Sequence, residues 1–137
     1  MRQLIAKKFK AFRVGPLPAQ AINRAIDTEL DVADVWVSKA CHAHIALDHP
    51  DDYPIIKANI IDIIRNPLMV GQDPQHGENF SLVKKVPADE GEGFSMVAIG
   101  LEPSKFGNYN VKSAYIISQD DVDTRRMRGS LKSLIMT

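Results

Sequence analysis

The apolar positions of this chain follow two different periods, helical in the first half and alternating in the second. From Pro18 onward, Ala21, Ile22, Ala25, Ile26 and Leu30 recur at helical spacing. Proline is tolerated in a first helical turn, so the spacing predicts a helix from Pro18 to about Leu30. A short β-rich run, Asp34-Val-Trp-Val-Ser38, follows. Ser38 carries a side-chain oxygen suited to an unpaired N–H of a first turn, which predicts a helix through about His49. Pro50 disfavours helical geometry at the residue before it and so places His49 at that helix's end. The next helix has Asp51 or Asp52 as its cap and Pro54 in its first turn. Ile55, Ile56, Ile60, Ile63 and Ile64 give it an apolar core stripe, and Asn66 and Pro67 stop it.

The polar stretch from Gly71 to Asn79 reads as a loop, after which the period changes to two. Runs at 80–86, 94–101 and 109–118 are rich in β-branched and aromatic residues. They are separated by Gly91-Glu-Gly93 and by Pro103 to Asn108, and connections this short join only antiparallel strands. A last short helix is expected over Val122 to Arg128, with Asp120 or Asp121 as cap and Gly129 beyond its end. The pattern predicts an α+β fold, N-terminal helices packed on an antiparallel, roughly four-stranded sheet. A basic arm, residues 1–18, ends in Gly15, Pro16 and Pro18, and residues 19–137 form one domain.

With 137 residues, 45% hydrophobic and 25% charged, the chain is of average globular composition and long enough to bury a core without a staple. Its start lacks the uninterrupted apolar core and small-residue cleavage site of a secretory signal, and no apolar run is long enough to span a bilayer. The single Cys41 forms no internal disulfide. These features predict a cytoplasmic protein with no membrane partner. Seventeen basic residues balance seventeen acidic ones, which argues against a surface that wraps nucleic acid as a whole. Three basic clusters remain as local patches or ordinary solvated faces: Lys7, Lys8, Lys10 and Arg13; Lys84 and Lys85; Arg125, Arg126 and Arg128. Nothing at residue level favours one oligomeric state.

Three of the four histidines, His42, His44 and His49, fall on one short helix. At 3.6 residues per turn, His42 and His44 are about 200° apart and His44 and His49 about 140° apart, while His42 and His49 share a face but stand about 10 Å apart along the axis. That spacing, one cysteine and no HExxH motif speak against a metal site. A histidine accepts and returns a proton near neutral pH, and one at a helix end has its cation favoured by the dipole; otherwise it is a surface or satisfied core residue. On the last strand, Ser113 and Tyr115 share a face, a hydroxyl pair fit for a phosphate or for plain packing. Lys84 and Lys85 point to opposite faces, and one of them reaches the same side. Cys41 fits a buried small residue better than a nucleophile. No phosphate-binding glycine loop and no nucleophile elbow is present, and no cofactor is implied.

Taken in order, Val-Trp-Val-Ser38, His44-Ile-Ala-Leu-Asp-His49-Pro50, Asn66-Pro67 and Val-Lys-Ser113-Ala-Tyr115 resemble the phage-associated nuclease domains of the barnase, EndoU, colicin and RelE superfamily, over about Val35 to Met127. The resemblance implies two helices on a four-stranded antiparallel sheet, with the active site on the face opposite the helices or at its rim. It implies metal-independent endoribonuclease activity on RNA, with tRNA the better fit to a neutral protein, through attack by the ribose 2′-OH. Carried over by position, His44 and His49 are the general acid/base pair, Ser113 and Tyr115 the phosphate or substrate contacts, and Lys84 a further candidate. An RNA-cleaving toxin or effector of this kind implies a neutralising immunity or antitoxin protein, or a phage carrier protein. A non-catalytic phage accessory module that binds RNA or protein on the same fold is the competing expectation.

Overall fold

The computed structural model describes residues 8–72, 77–88 and 91–136. Among them four helices and seven strands follow in the order β1 (Phe12–Pro16), α1 (Ala19–Ile26), β2 (Asp34–Val37), α2 (Lys39–Asp48), α3 (Tyr53–Arg65), β3 (Met69–Gly71), β4 (Asn79–Ala88), β5 (Gly91–Gly100), β6 (Tyr109–Ile117), α4 (Gln119–Met127) and β7 (Lys132–Ser133). Side chains set most of these boundaries. The Ser38 hydroxyl accepts the Cys41 N–H at 3.1 Å and opens α2. Ser118, rather than Asp120 or Asp121, caps α4 by accepting the Asp121 N–H at 3.1 Å. The two aspartates lie instead in its first turn, where negative charge complements the helix dipole. Helix α1 ends at Ile26 and not near Leu30, because Asp27 turns left-handed at φ 57°. Leu30 is then folded back onto α1 by both its N–H and its carbonyl, bonded to the Asn23 amide at 2.8 and 2.9 Å.

The strands form one sheet in the order β1-β2-β6-β5-β4-β3-β7, antiparallel throughout except for the parallel pair β2 and β6. The α+β class holds, and β3 to β6 supply an antiparallel run of four, but β1, β2 and β7 widen the sheet and make it mixed. Strands β3 and β7 are three and two residues long, too short to reveal a period of two. The arm expected over residues 1–18 is a sheet strand from Phe12 onward. Val14 and Leu17 are buried there, while Arg13 grips the Asp34 carboxylate through two bonds of 2.8 and 3.0 Å. The arm's first seven residues, and 73–76 within the expected loop, lie outside the described residues. Gly91-Glu-Gly93 is not a separator, since β5 already pairs with β4 from Gly91 opposite Ala88.

Helices α1 to α3 cover one sheet face. Ile56, Ile60, Ile63 and Ile64 of α3 are buried there against Val35, Phe80, Leu82 and Val97, with Ile55 partly buried beside them. A smaller cluster on the other face joins Val83, Met96 and Ile117 to Val122 of α4 and Leu131. Among the described residues no helix is long and apolar enough to cross a membrane.

The chain after α4 closes directly onto β3. A Cβ on Gly71 would overlap the Ser130 carbonyl oxygen, so the backbones touch where no side chain fits. Gly71→Ala is therefore expected to destabilise the fold by about 1–3 kcal/mol, the cost of overpacking a tight site. Gly77→Ala, with nothing within 4 Å of its Cβ, is expected to leave the urea midpoint alone. Equal midpoints for the two variants would show that the segment around Ser130 yields freely.

Candidate functional site

The site lies where the sheet parts. Strand β2 pairs with β6 only through Val35 opposite Tyr109 and Trp36 opposite Asn110. Farther along β6, the Ile116 N–H is satisfied by a side chain, the Asp52 carboxylate at 3.1 Å. Asp52 thus makes no side-chain cap to α3, the role expected of it or of Asp51, and is used on the strand instead. The turn that carries Asp52 is held at both ends by His49. The His49 N–H donates to the Ile45 carbonyl at 3.0 Å, and its own carbonyl accepts from Tyr53 at 2.9 Å and Asp52 at 3.2 Å. Backbone bonds into both α2 and α3 fix the point from which the imidazole projects.

That imidazole stacks on Tyr115 of β6, with centroids 5.6 Å apart and planes at 26°. His44 also meets the His49 ring, at 6.1 Å and 86° in an edge-to-face arrangement. The 140° that separates His44 from His49 on a regular helix does not apply, because His49 has left the helix at φ −130° and ψ 58°. His44 in turn places Nδ1 2.5 Å from the Asp48 carboxylate, one turn along α2. A carboxylate only accepts, so Nδ1 carries the hydrogen and Nε2 of the neutral ring is left as an acceptor. The His44 side chain is 44% exposed and that of Asp48 33%, so this pair is open to solvent.

Three of the five residues singled out from sequence are therefore in one array. Ser113 shares the sheet face of Tyr115, as their cross-strand partners Ala98 and Met96 require, without joining the ring contacts. Tyr115 directs its hydroxyl to the Met96 sulfur at 3.4 Å. Lys84 is placed elsewhere. It pairs with Ser95, and Ser95 with Ile116, which puts it on the helix-covered face, its ammonium 2.8 Å from Asp62 of α3. Bonds from Lys84 and Asn66 hold the Asp62 carboxyl below its ordinary range. The lysine on the Tyr115 face is Lys85, opposite Phe94 and in line with Ile117.

His42 has a structural task. Its Nδ1 lies 2.9 Å from the Lys10 carbonyl and its Nε2 2.6 Å from the Tyr53 hydroxyl, with Phe9 and Phe12 against the ring at 4.9 and 5.3 Å. Both nitrogens are engaged, and the ring ties the N-terminal segment to α3. Cys41 is buried, and burial pushes its thiol up to about 11, which keeps it protonated and unreactive at neutral pH. Sequence reasoning did not find Asp48; its signal was an acidic residue four positions after His44 on the same helix face. Among the described residues no three His, Cys, Asp or Glu side chains converge to hold a metal ion. Compared with protein-family models, with curated proteins and with solved structures, the chain matches none.

Two measurements probe this arrangement. Asp52→Ala strands the Ile116 N–H and is expected to cost about 1–3 kcal/mol, whereas Asp52→Asn keeps an acceptor oxygen and most of the stability. Identical midpoints for wild type and both variants would remove the edge clamp. In the native protein Cys41 is expected to react with a thiol reagent at least roughly tenfold more slowly than in urea, as a buried neutral thiol should. Equal rates would place it at the surface.

Proposed function

We propose that this protein is a metal-independent endoribonuclease that cuts RNA by general acid–base transesterification. The observation that carries the reading is the His44–His49–Tyr115 row with Asp48 behind it. Two proton-transfer groups serving one phosphodiester must each come within about 2.6–3.2 Å of an oxygen, one attacking and one departing from opposite sides of phosphorus. Imidazoles with centroids 6.1 Å apart suit that separation. His44 acts as base through its free Nε2, taking the 2′-OH proton as the 2′-oxygen bonds to phosphorus. Asp48 favours the imidazolium that results, as a carboxylate behind a catalytic histidine does. His49, protonated, gives its proton to the 5′-oxygen as the P–O5′ bond breaks, and a 2′,3′-cyclic phosphate remains. Tyr115 holds the His49 ring and offers a face to a base, while the Ser113 hydroxyl is the phosphate contact.

DNA has no 2′-OH and is not a substrate for this chemistry. A chain of zero net charge is better served by an RNA contacted locally, such as a tRNA loop, than by a long duplex. An effector of this kind works in the cytoplasm and calls for an immunity protein, antitoxin or phage carrier protein that covers the rings until they are needed.

The test is incubation of the purified protein, in EDTA, with total tRNA and with a DNA oligonucleotide of matched length. RNA is expected to be cut to cyclic phosphate ends and DNA left whole. His44→Ala and His49→Ala are each expected to lose about 10²–10⁴-fold in rate, the usual worth of an acid or base. Lys84→Ala, on the far side of the sheet, is expected to cut like the wild type. RNA left intact at high protein excess would overturn the nuclease reading in favour of a binding module.

A further inference from the structure

Tyr115 has a second neighbourhood. On the sheet face away from α1 to α3 its ring borders a cavity of about 90 Å³, lined also by Asn79, Ser81, Met96, Arg125 and Ser130. Gly71 and Ala98 form part of the lining, so bare backbone and one methyl group let a ligand approach the strands closely. The volume is several times the roughly 10–15 Å³ that a single water needs.

The charge in this cavity is one-sided. Among the described lining residues Arg125 is the only ionised one, and none of them is a carboxylate. The Arg125 backbone is fixed, since its carbonyl accepts from the Ser130 N–H at 3.0 Å and the Ser130 hydroxyl at 3.2 Å. Arg125 is a partly buried residue, and its guanidinium makes no hydrogen bond or ion pair among the described residues. The next residue behaves differently, as Arg126 spends its guanidinium on the Ser133 hydroxyl at 3.2 Å and the Met69 sulfur. An unspent guanidinium beside the Ser81 hydroxyl and the Asn79 amide is a set of donors awaiting an anion.

We propose that this cavity is a second phosphate site, in which Arg125, with Ser81 and Asn79, holds the phosphodiester next to the one being cut. Tyr115 is the wall shared between the cavity and His49, so a strand crossing that ring brings one phosphate to the histidines and its neighbour to Arg125. The proposal rests on the ribonuclease reading for the identity of the strand. Arg125 is a binding residue here, with no proton to move.

The experiment uses a probe that cannot be cut, a single-stranded DNA oligonucleotide with the same phosphate spacing, titrated against the full chain at several salt concentrations. Arg125→Gln is expected to raise the Kd about ten- to a hundredfold, the worth of a charge-assisted bond, and to reduce the slope of log K against log salt by about one. Ser81→Ala gives a second reading that leaves the charge in place, with a smaller rise in Kd and an unchanged salt slope. Unaltered Kd and slope in Arg125→Gln overturn the site, even if the wild type cuts RNA. A protein that cuts no RNA yet binds the oligonucleotide through Arg125 keeps the site and loses the nuclease reading. Inorganic phosphate bound at Arg125, with oligonucleotide affinity unaffected by the substitution, would mark a free-anion pocket and overturn an RNA subsite.

Discussion

A strand that loses its neighbour partway along leaves backbone N–H groups that must find other acceptors, and β6 is such a strand. Where β2 stops pairing at Asn110, the sheet gains an open margin, and the α2–α3 joint is folded into it. The Asp52 carboxylate supplies the missing acceptor. Because Asp52 is three residues from His49, and His49 is bonded into both helices, the same act that satisfies Ile116 sets the imidazole against Tyr115. The geometry of the candidate site is thus a consequence of how an unpaired sheet edge is closed, and needs no loop of its own.

The same margin gives access to both sides of the sheet. His44 stands on a helix that packs on one face, Tyr115 projects from the other, and His49 spans the edge between them. The rings of His44, His49 and Tyr115 lie along this rim, and Tyr115 also lines the cavity that holds Arg125. An overall neutral chain exerts no strong long-range pull on a polyanion, so close contacts rather than net charge would have to hold one there.

Much of this was legible in the residues. Ser38 as a cap, the isoleucine stripe of α3 and the alternating strands at 80–86, 94–101 and 109–118 all act through local rules, and they form the elements predicted. What was not legible depends on partners distant in sequence. Strands β1, β3 and β7 are held by tertiary pairing, with Val14 and Leu17 drawing a basic segment into the core. The side of the sheet on which Lys84 lies follows from the alternation that buries Phe80 and Leu82, but which side bears the site did not. The reach of His49 to Tyr115 was hidden by the assumption of a regular helix, which fails at the one residue that matters.

The three histidines of this region show how partners, more than spacing, divide the work. His42 faces a carbonyl and a phenol with its two nitrogens, and Phe9 and Phe12 pack against its ring. His44 faces the Asp48 carboxylate on Nδ1, and its side chain is 44% exposed. His49 has its backbone fully committed and its ring in contact with those of His44 and Tyr115. One residue type on one short segment therefore meets three different sets of partners, and the carboxylates at 48 and 52, which a search for histidine motifs passes over, are part of what distinguishes the surroundings of the last two from those of the first.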